Sequence, residues 1–124
     1  MPQEKILIVD DSPVQMKMAT AALQGQGYRI VTAVDGEEAL DKAKSEKPDL
    51  IVLDVILPGQ NGFQICRTLK TSNDTKDIPV VLLTSKNQES DKFWGMRQGA
   101  DAYITKPFNE AELVAVINKL LVGG

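Results

Sequence analysis

The chain has 124 residues, 43% of them hydrophobic and 25% charged, a composition that suits one globular core and argues against disorder. A formal charge of −3 and an isoelectric point near 4.9 exclude the basic surface that sequence-independent nucleic-acid binding requires. No apolar run approaches the roughly 20 residues that span a bilayer, and Met1-Pro2-Gln3-Glu4-Lys5 lacks the charged and apolar regions of a signal peptide, so a cytoplasmic location is expected.

The chain then alternates strand and helix signals with short connections and no repeat. Strand 1 is expected at about Lys5 to Val9, followed by a helix that starts near Ser12, with Pro13 in the first turn, where its missing donor costs nothing. That helix stops near Gly25 or Gly27. Strand 2 reads Tyr28 to Ala33. Asp35-Gly36-Glu37-Glu38 carries an Asp cap with Glu three residues on, a capping-box pattern that opens helix 2. Strand 3 is Leu50 to Leu53, and helix 3 begins at Asn61-Gly62-Phe63-Gln64 after a turn at Pro58-Gly59. Strand 4 is Val80 to Leu83, helix 4 runs from Glu89 to about Gln98, strand 5 is Ala102 to Thr105, and helix 5 opens at Asn109-Glu110-Ala111-Glu112.

Near-continuous apolar runs mark strands 1, 3 and 4 as buried on both faces, the signature of a parallel sheet covered by helices. Right-handed crossovers then give a doubly wound α/β fold. Inside helix 4, Gly95 should cost about 1 kcal/mol relative to Ala, while Phe93 and Met96 have the i, i+3 spacing of a core stripe that leaves Trp94 at its edge or in solvent. A weakened helix 4 that moves, with Trp94 reporting the motion or touching a partner, is the sharper expectation. Cys66, beside Ile65 and Leu69, reads as a small core residue.

Chemistry is narrowed by what is missing. Histidine is absent and Cys66 is the single cysteine, which removes Ser/His and Cys/His nucleophiles, imidazole zinc sites and an internal disulfide. Carboxylates, hydroxyls and lysine remain. Asp10 and Asp11 close Ile6-Leu7-Ile8-Val9, and Asp54 closes Leu50-Ile51-Val52-Leu53. Ligands of an open parallel sheet bind beyond the carboxyl ends of its strands, so adjacent runs would bring three carboxylates into one mouth. Two such charges about 4 Å apart repel by roughly 4 kcal/mol at an effective dielectric of 20. The cluster therefore calls for a cation or for shifted pKa values.

Asp10-Asp11, Asp54, Thr84 and Lys106-Pro107 at successive strand ends resemble the signature of the receiver domains of two-component response regulators, and the resemblance covers the whole chain. It implies a flavodoxin-like, five-stranded parallel sheet of order 2-1-3-4-5 flanked by five helices, as a single receiver domain over residues 1–124 without an output domain. It further implies phosphorylation of Asp54 by a sensor histidine kinase or a histidine phosphotransfer protein. Mg²⁺ would be held by Asp11, by Asp10 largely through water, by Asp54 and by the Ile56 backbone carbonyl. Thr84 and Lys106 would contact phosphoryl oxygens, and the Lys106-Pro107 bond would be a candidate cis peptide. Thr84 and Tyr103 would form the switch, read by a downstream target on the face of helix 4, strand 5 and helix 5. Such a protein is no enzyme beyond its own phosphoryl transfer and slow hydrolysis, and it is expected as a monomer or weak dimer with no nucleic-acid or membrane partner. The segment from Ser85 to Asp101 also resembles stand-alone receivers of chemosensory pathways that control type IV pili, twitching and taxis. Lys86 and Ile56, two places after Thr84 and Asp54, should influence the lifetime of the modified state.

Each signal has a blander reading when taken alone. Asp10-Asp11 could cap helix 1, Tyr103 could be static packing, and Thr84 an ordinary strand end. Joint occurrence at the matching strand ends is what favours the functional reading. Among other classes, a haloacid-dehalogenase-like phosphatase would want an Asp two residues after its nucleophile, where Ile56 stands. A flavin binder would want a hydroxyl- or Gly-rich loop after strand 1, and a P-loop enzyme its Gly-rich Lys motif. The remaining competitor is a binding module of receiver architecture that takes no phosphate.

Overall fold

Short apolar runs bounded by turn residues form the strands, and the amphipathic stretches between them form the covering helices. The computed structural model describes residues 4–122; the Met1-Pro2-Gln3 start and the Gly123-Gly124 end lie outside the described residues. The main sheet contains β1 (Lys5–Val9), β2 (Arg29–Ala33), β3 (Leu50–Leu53), β4 (Val80–Thr84) and β5 (Ala102–Thr105). All are parallel, in the order β2-β1-β3-β4-β5. The helices are α1 (Pro13–Gln24), α2 (Gly36–Ser45), α3 (Gly62–Thr71), α4 (Glu89–Arg97) and α5 (Glu110–Val122). This is the expected doubly wound architecture and strand order.

Alternation along the strands splits the core into two layers. Leu7, Val9, Ile51, Leu53, Val80 and Leu82 face one way, onto Ala39 and Ala43 of α2 and Phe63, Cys66 and Leu69 of α3. Ile6, Ile8, Leu50, Val52, Val81 and Leu83 face the other, with Ile104, onto Leu23 of α1 and Leu113 and Ile117 of α5. Every residue of β3 and β4 is buried, which explains why these strands read as unbroken apolar runs.

Caps fix where the helices begin. Ser12 Oγ accepts from the Gln15 amide at 3.3 Å, with Pro13 in the first turn. Asp35 Oδ1 accepts from Glu38 N–H at 2.8 Å, but the return bond of the expected capping box goes one residue further out, from Val34 N–H to Glu38 Oε1. Asn61 and Asn109 cap α3 and α5 by accepting from Phe63 and Ala111.

Two features depart from the sequence reading. A small antiparallel hairpin, Ile56–Leu57 with Gln60–Asn61, follows β3 and was not foreseen. The expected core stripe of helix 4 is also overturned. Phe93 is 63% exposed and Met96 46%, as is half of Trp94, while the buried residue of α4 is Gly95. An Ala at Gly95 would place its Cβ 2.8 Å from Leu82 Cδ1 and 2.9 Å from Tyr103 Cδ2. The helix meets the sheet through a missing side chain, so no apolar stripe was needed on that face.

Candidate functional site at the carboxyl edge of the sheet

The site residues are the last rungs of the parallel ladder. Asp10 N–H still donates to Ala33 O at 3.1 Å, Asp54 N–H to Val9 O at 3.0 Å and Lys106 N–H to Thr84 O at 2.9 Å, so rigid strands fix the backbone of each. Beyond this last rung the chain turns away and the side chains meet over the edge of the sheet.

Asp10 and Asp54 are built alike. One oxygen of each is held by the amide two residues on: Ser12 N–H donates to Asp10 Oδ1 at 2.9 Å, and Ile56 N–H to Asp54 Oδ1 at 3.0 Å. The other oxygen of each accepts from Lys106, whose Nζ lies 2.5 Å from Asp10 Oδ2 and 2.9 Å from Asp54 Oδ2. All three side chains are buried, at 10% exposure or less. Burial disfavours the Lys106 ammonium, yet its hydrogen bonds to Asp10 and Asp54 and their negative charges outweigh that, and its pKa is raised above the ordinary lysine value. Asp11 stands at the exposed lip. Asp10, Asp11 and Asp54 each offer an oxygen within 4.8 Å of the others. These are hard oxygen donors of the kind that suits a hard divalent cation.

Thr84 is fully buried, and its Oγ1 accepts from Lys86 N–H at a long 3.4 Å. Tyr103, on the edge strand β5 opposite Leu82, donates its hydroxyl to the Lys86 carbonyl at 2.7 Å. Burial first, then the charges of Asp91 and Asp54, push that hydroxyl's pKa up to about 12. The Lys106-Pro107 peptide bond is cis. Ile56 is 48% exposed, and a shallow cavity of about 410 Å³ opens beside it, lined also by Leu57, Gln60, Phe63 and Lys86.

The structure thus brings Asp10, Asp11, Asp54 and Lys106 into one cluster and sets Thr84 and Tyr103 around Lys86. Two features were not read from the sequence. Lys106 binds Asp10 as firmly as Asp54, a contact across 96 positions that no local pattern announces. Gly62 at the start of α3 lies so close to the chain after β3 that a Cβ there would meet Asp54 O at 2.6 Å and Val55 Cα closer still.

The fold and this edge place the chain among flavodoxin-like α/β proteins whose binding mouth is acidic rather than glycine-rich. Within that class it belongs to the response regulator receiver domain family, which matches residues 6–118. It is 46% identical to the protein PilH of Pseudomonas aeruginosa over 96% of this chain and 98% of PilH. It is 45% identical to the transcriptional regulatory protein PhoP of Bacillus subtilis over 95% of this chain, but spans only 48% of PhoP. Among solved structures it resembles the receiver domain of the sensor histidine kinase PA1611 of Pseudomonas aeruginosa, with a TM-score of 0.90 and 28% identity over 99% of this chain and all of the other. That receiver was solved with magnesium coordinated in its active-site cleft. Among the described residues, no helix is long and apolar enough to cross a membrane.

Proposed function

We propose that the chain is a phosphoryl-accepting signalling protein modified on Asp54, with a histidine kinase or a histidine phosphotransfer protein as donor. The observation that carries the reading is the placement of Asp54 beside a second carboxylate and under one buried ammonium, at the open edge of a rigid sheet. Asp54 Oδ1 is tethered by the Ile56 amide, which leaves Oδ2 to attack phosphorus. In the transfer, the new O–P bond forms as the P–N bond of the donor phosphohistidine breaks, and the electron pair leaves on the imidazole nitrogen. Phosphoryl transfer asks the protein chiefly for position and charge neutralisation. Lys106, whose ammonium lies 2.9 Å from Asp54 Oδ2, supplies positive charge for the incoming phosphoryl oxygens, and Thr84 supplies a hydroxyl for them.

Asp10, Asp11 and Asp54, with the Ile56 carbonyl, would hold Mg²⁺, in keeping with their all-oxygen donor set. When bound, the ion supplies positive charge that offsets the repulsion between the carboxylates and an incoming phosphate. The product is an acyl phosphate, which water hydrolyses, so the mark is transient and the protein acts as a switch rather than a turnover enzyme. Thr84 and Tyr103 change partners on modification, and the exposed face of α4, β5 and α5 presents the result to a downstream protein. Similarity to PilH over nearly its whole length supports a receiver that acts without an output domain; we read it as a cytoplasmic monomer or weak dimer in pilus-based motility or taxis.

Incubation with Mg²⁺ and a small phosphodonor, followed by intact-mass measurement, tests this. Wild type should gain one phosphoryl group, and Asp54→Ala or chelated protein none. Equal masses for wild type and Asp54→Ala would instead support a receiver-shaped module that takes no phosphate.

A further inference from the structure

Helix α4 is held to the sheet in an unusual way. Of its nine residues, Gly95 is buried and Asp91 half-buried, while Lys92, Phe93, Trp94, Met96 and Arg97 are exposed. No apolar side chain of this helix enters the core. What enters is the Tyr103 ring, which rises from β5 into the hollow left by Gly95. The hollow closes on two sides, because Leu82 and Tyr103 are register partners across β4 and β5, and both reach the same point of α4. A Cβ on Gly95 would stand 2.8 Å from Leu82 Cδ1, 2.9 Å from Tyr103 Cδ2 and 3.0 Å from Tyr103 Cε2. Real Cβ contacts are not that short. Leu82 is fully buried, whereas Tyr103 is partly exposed and can swing outward. The Tyr103 hydroxyl, meanwhile, is tied to the Lys86 carbonyl, and the Lys86 amide points back at Thr84 Oγ1.

We infer that Gly95 is a positioning residue: its absent side chain is the seat that holds the Tyr103 ring against α4 and its hydroxyl on the Lys86 carbonyl. This joins the exposed α4 face to the Thr84 end of the site. The inference rests on the switch proposed above for its consequence, but not for the seat itself. It also reverses the reading of Gly95 as a weak point. The glycine is there because a ring must lie where a methyl group would stand.

The test is Gly95→Ala in the full chain, since Gly95 touches neither the aspartate cluster nor Lys106. In the resting protein, the Tyr103 ring should leave the seat. Nuclear Overhauser contacts between the ring and residue 95 disappear, and the Tyr103 hydroxyl titrates closer to an ordinary tyrosine, near 10, than to the wild type's about 12. The Asp54-dependent mass adduct should form as in wild type. The change in Trp94 fluorescence on adding beryllofluoride and Mg²⁺ should be largely lost. Tyr103→Phe keeps the ring and removes the hydroxyl, so it should retain the ring contacts and lose the same fluorescence response. Adding Gly95→Ala to it should change the response no further, because groups acting through one contact are not additive. Ring contacts and hydroxyl titration unchanged in Gly95→Ala would overturn the inference. So would an undiminished fluorescence response in Tyr103→Phe, which also decides the matter should Gly95→Ala fail to fold. A wild type that forms no adduct would instead defeat the proposed function, and the resting-state measurements would still judge the seat.

Discussion

Asp10 and Asp54 share a single ammonium, and each has its second oxygen pinned by a backbone amide, so neither carboxylate has freedom to relax if Lys106 is lost. Removing one partner of a buried charge cluster leaves the others uncompensated, at a cost of about 3–5 kcal/mol in comparable sites. Lys106→Met preserves most of the stem and deletes the charge. In metal-free buffer we expect it to lower the urea-unfolding free energy by about 3 kcal/mol, the lower end because Asp11 sits at a wet lip. Magnesium should recover part of that loss, since a divalent ion can take over the neutralisation that the ammonium provided. An unfolding midpoint unmoved in chelator would mean that the cluster is solvated and that Lys106 is an ordinary surface lysine. The residue scale also shows what sequence can and cannot carry. Asp10, Asp54 and Lys106 are visible because each follows an apolar run, so backbone direction alone aims them at one edge. That Lys106 lies across both acids depends on packing over the edge of β1, β3 and β5, and no spacing encodes it.

At the scale of elements, β1, β3 and β4 were legible as short unbroken apolar runs, and the helices between them by their caps and by the turn residues that bound them. The hairpin at Ile56–Leu57 and Gln60–Asn61 was not, since two-residue strands are too short to show alternation. Helix α4 was misread for the opposite reason: hydrophobicity directs Phe93 and Met96 inward, whereas the space there is filled from the sheet by Tyr103. Glycines at helix starts mark a similar limit, and their contacts separate two cases. At Gly62 an added Cβ meets backbone, Asp54 O at 2.6 Å and Val55 Cα, so α3 or the chain after β3 must move. At Gly36 it meets Ile65 Cδ1 at 2.6 Å and the end of the Gln60 side chain, both of which can rotate away. Overpacking that forces backbone shifts costs about 1–3 kcal/mol. Gly62→Ala should therefore destabilise by about 2 kcal/mol and slow Asp54 modification, because it displaces the carbonyl and amide that frame that residue. Gly36→Ala should cost clearly less and leave modification unaltered. Thermal melts and adduct kinetics on the two variants would expose the error if Gly36→Ala proved the worse.

At the scale of the whole molecule, Cys66, Tyr103, Tyr28 and Lys106 all hold their protons more tightly than the free side chains do. Burial pushes the Cys66 thiol up to about 11, with Lys70 lowering it and Asp101 raising it by smaller amounts. Burial and then Asp91 and Asp54 push Tyr103 up to about 12, burial and then Glu4 raise Tyr28, and Lys106 is raised despite its burial. A group whose folded pKa exceeds its unfolded one binds its proton more tightly in the native state. Its contribution is complete below the unfolded pKa and disappears as pH climbs through the folded value. The unfolded values are about 8.5 for cysteine, 10 for tyrosine and 10.4 for lysine. These linkages together predict a stability plateau that ends near pH 8.5 and a decline that steepens above about 10. Cys66 acts first because its interval opens lowest, and its burial between α3 and the Gln98 carbonyl keeps the thiol neutral. Cys66→Ala should therefore flatten the first part of the decline, from about 8.5 to 10, while leaving the steeper part intact. Tyr103→Phe should do the reverse. Urea unfolding at a series of alkaline pH values measures both, and a Cys66→Ala curve parallel to wild type across that first interval would show that the thiol ionises equally in folded and unfolded chains, which a side chain sealed in the sheet's covering layer cannot do.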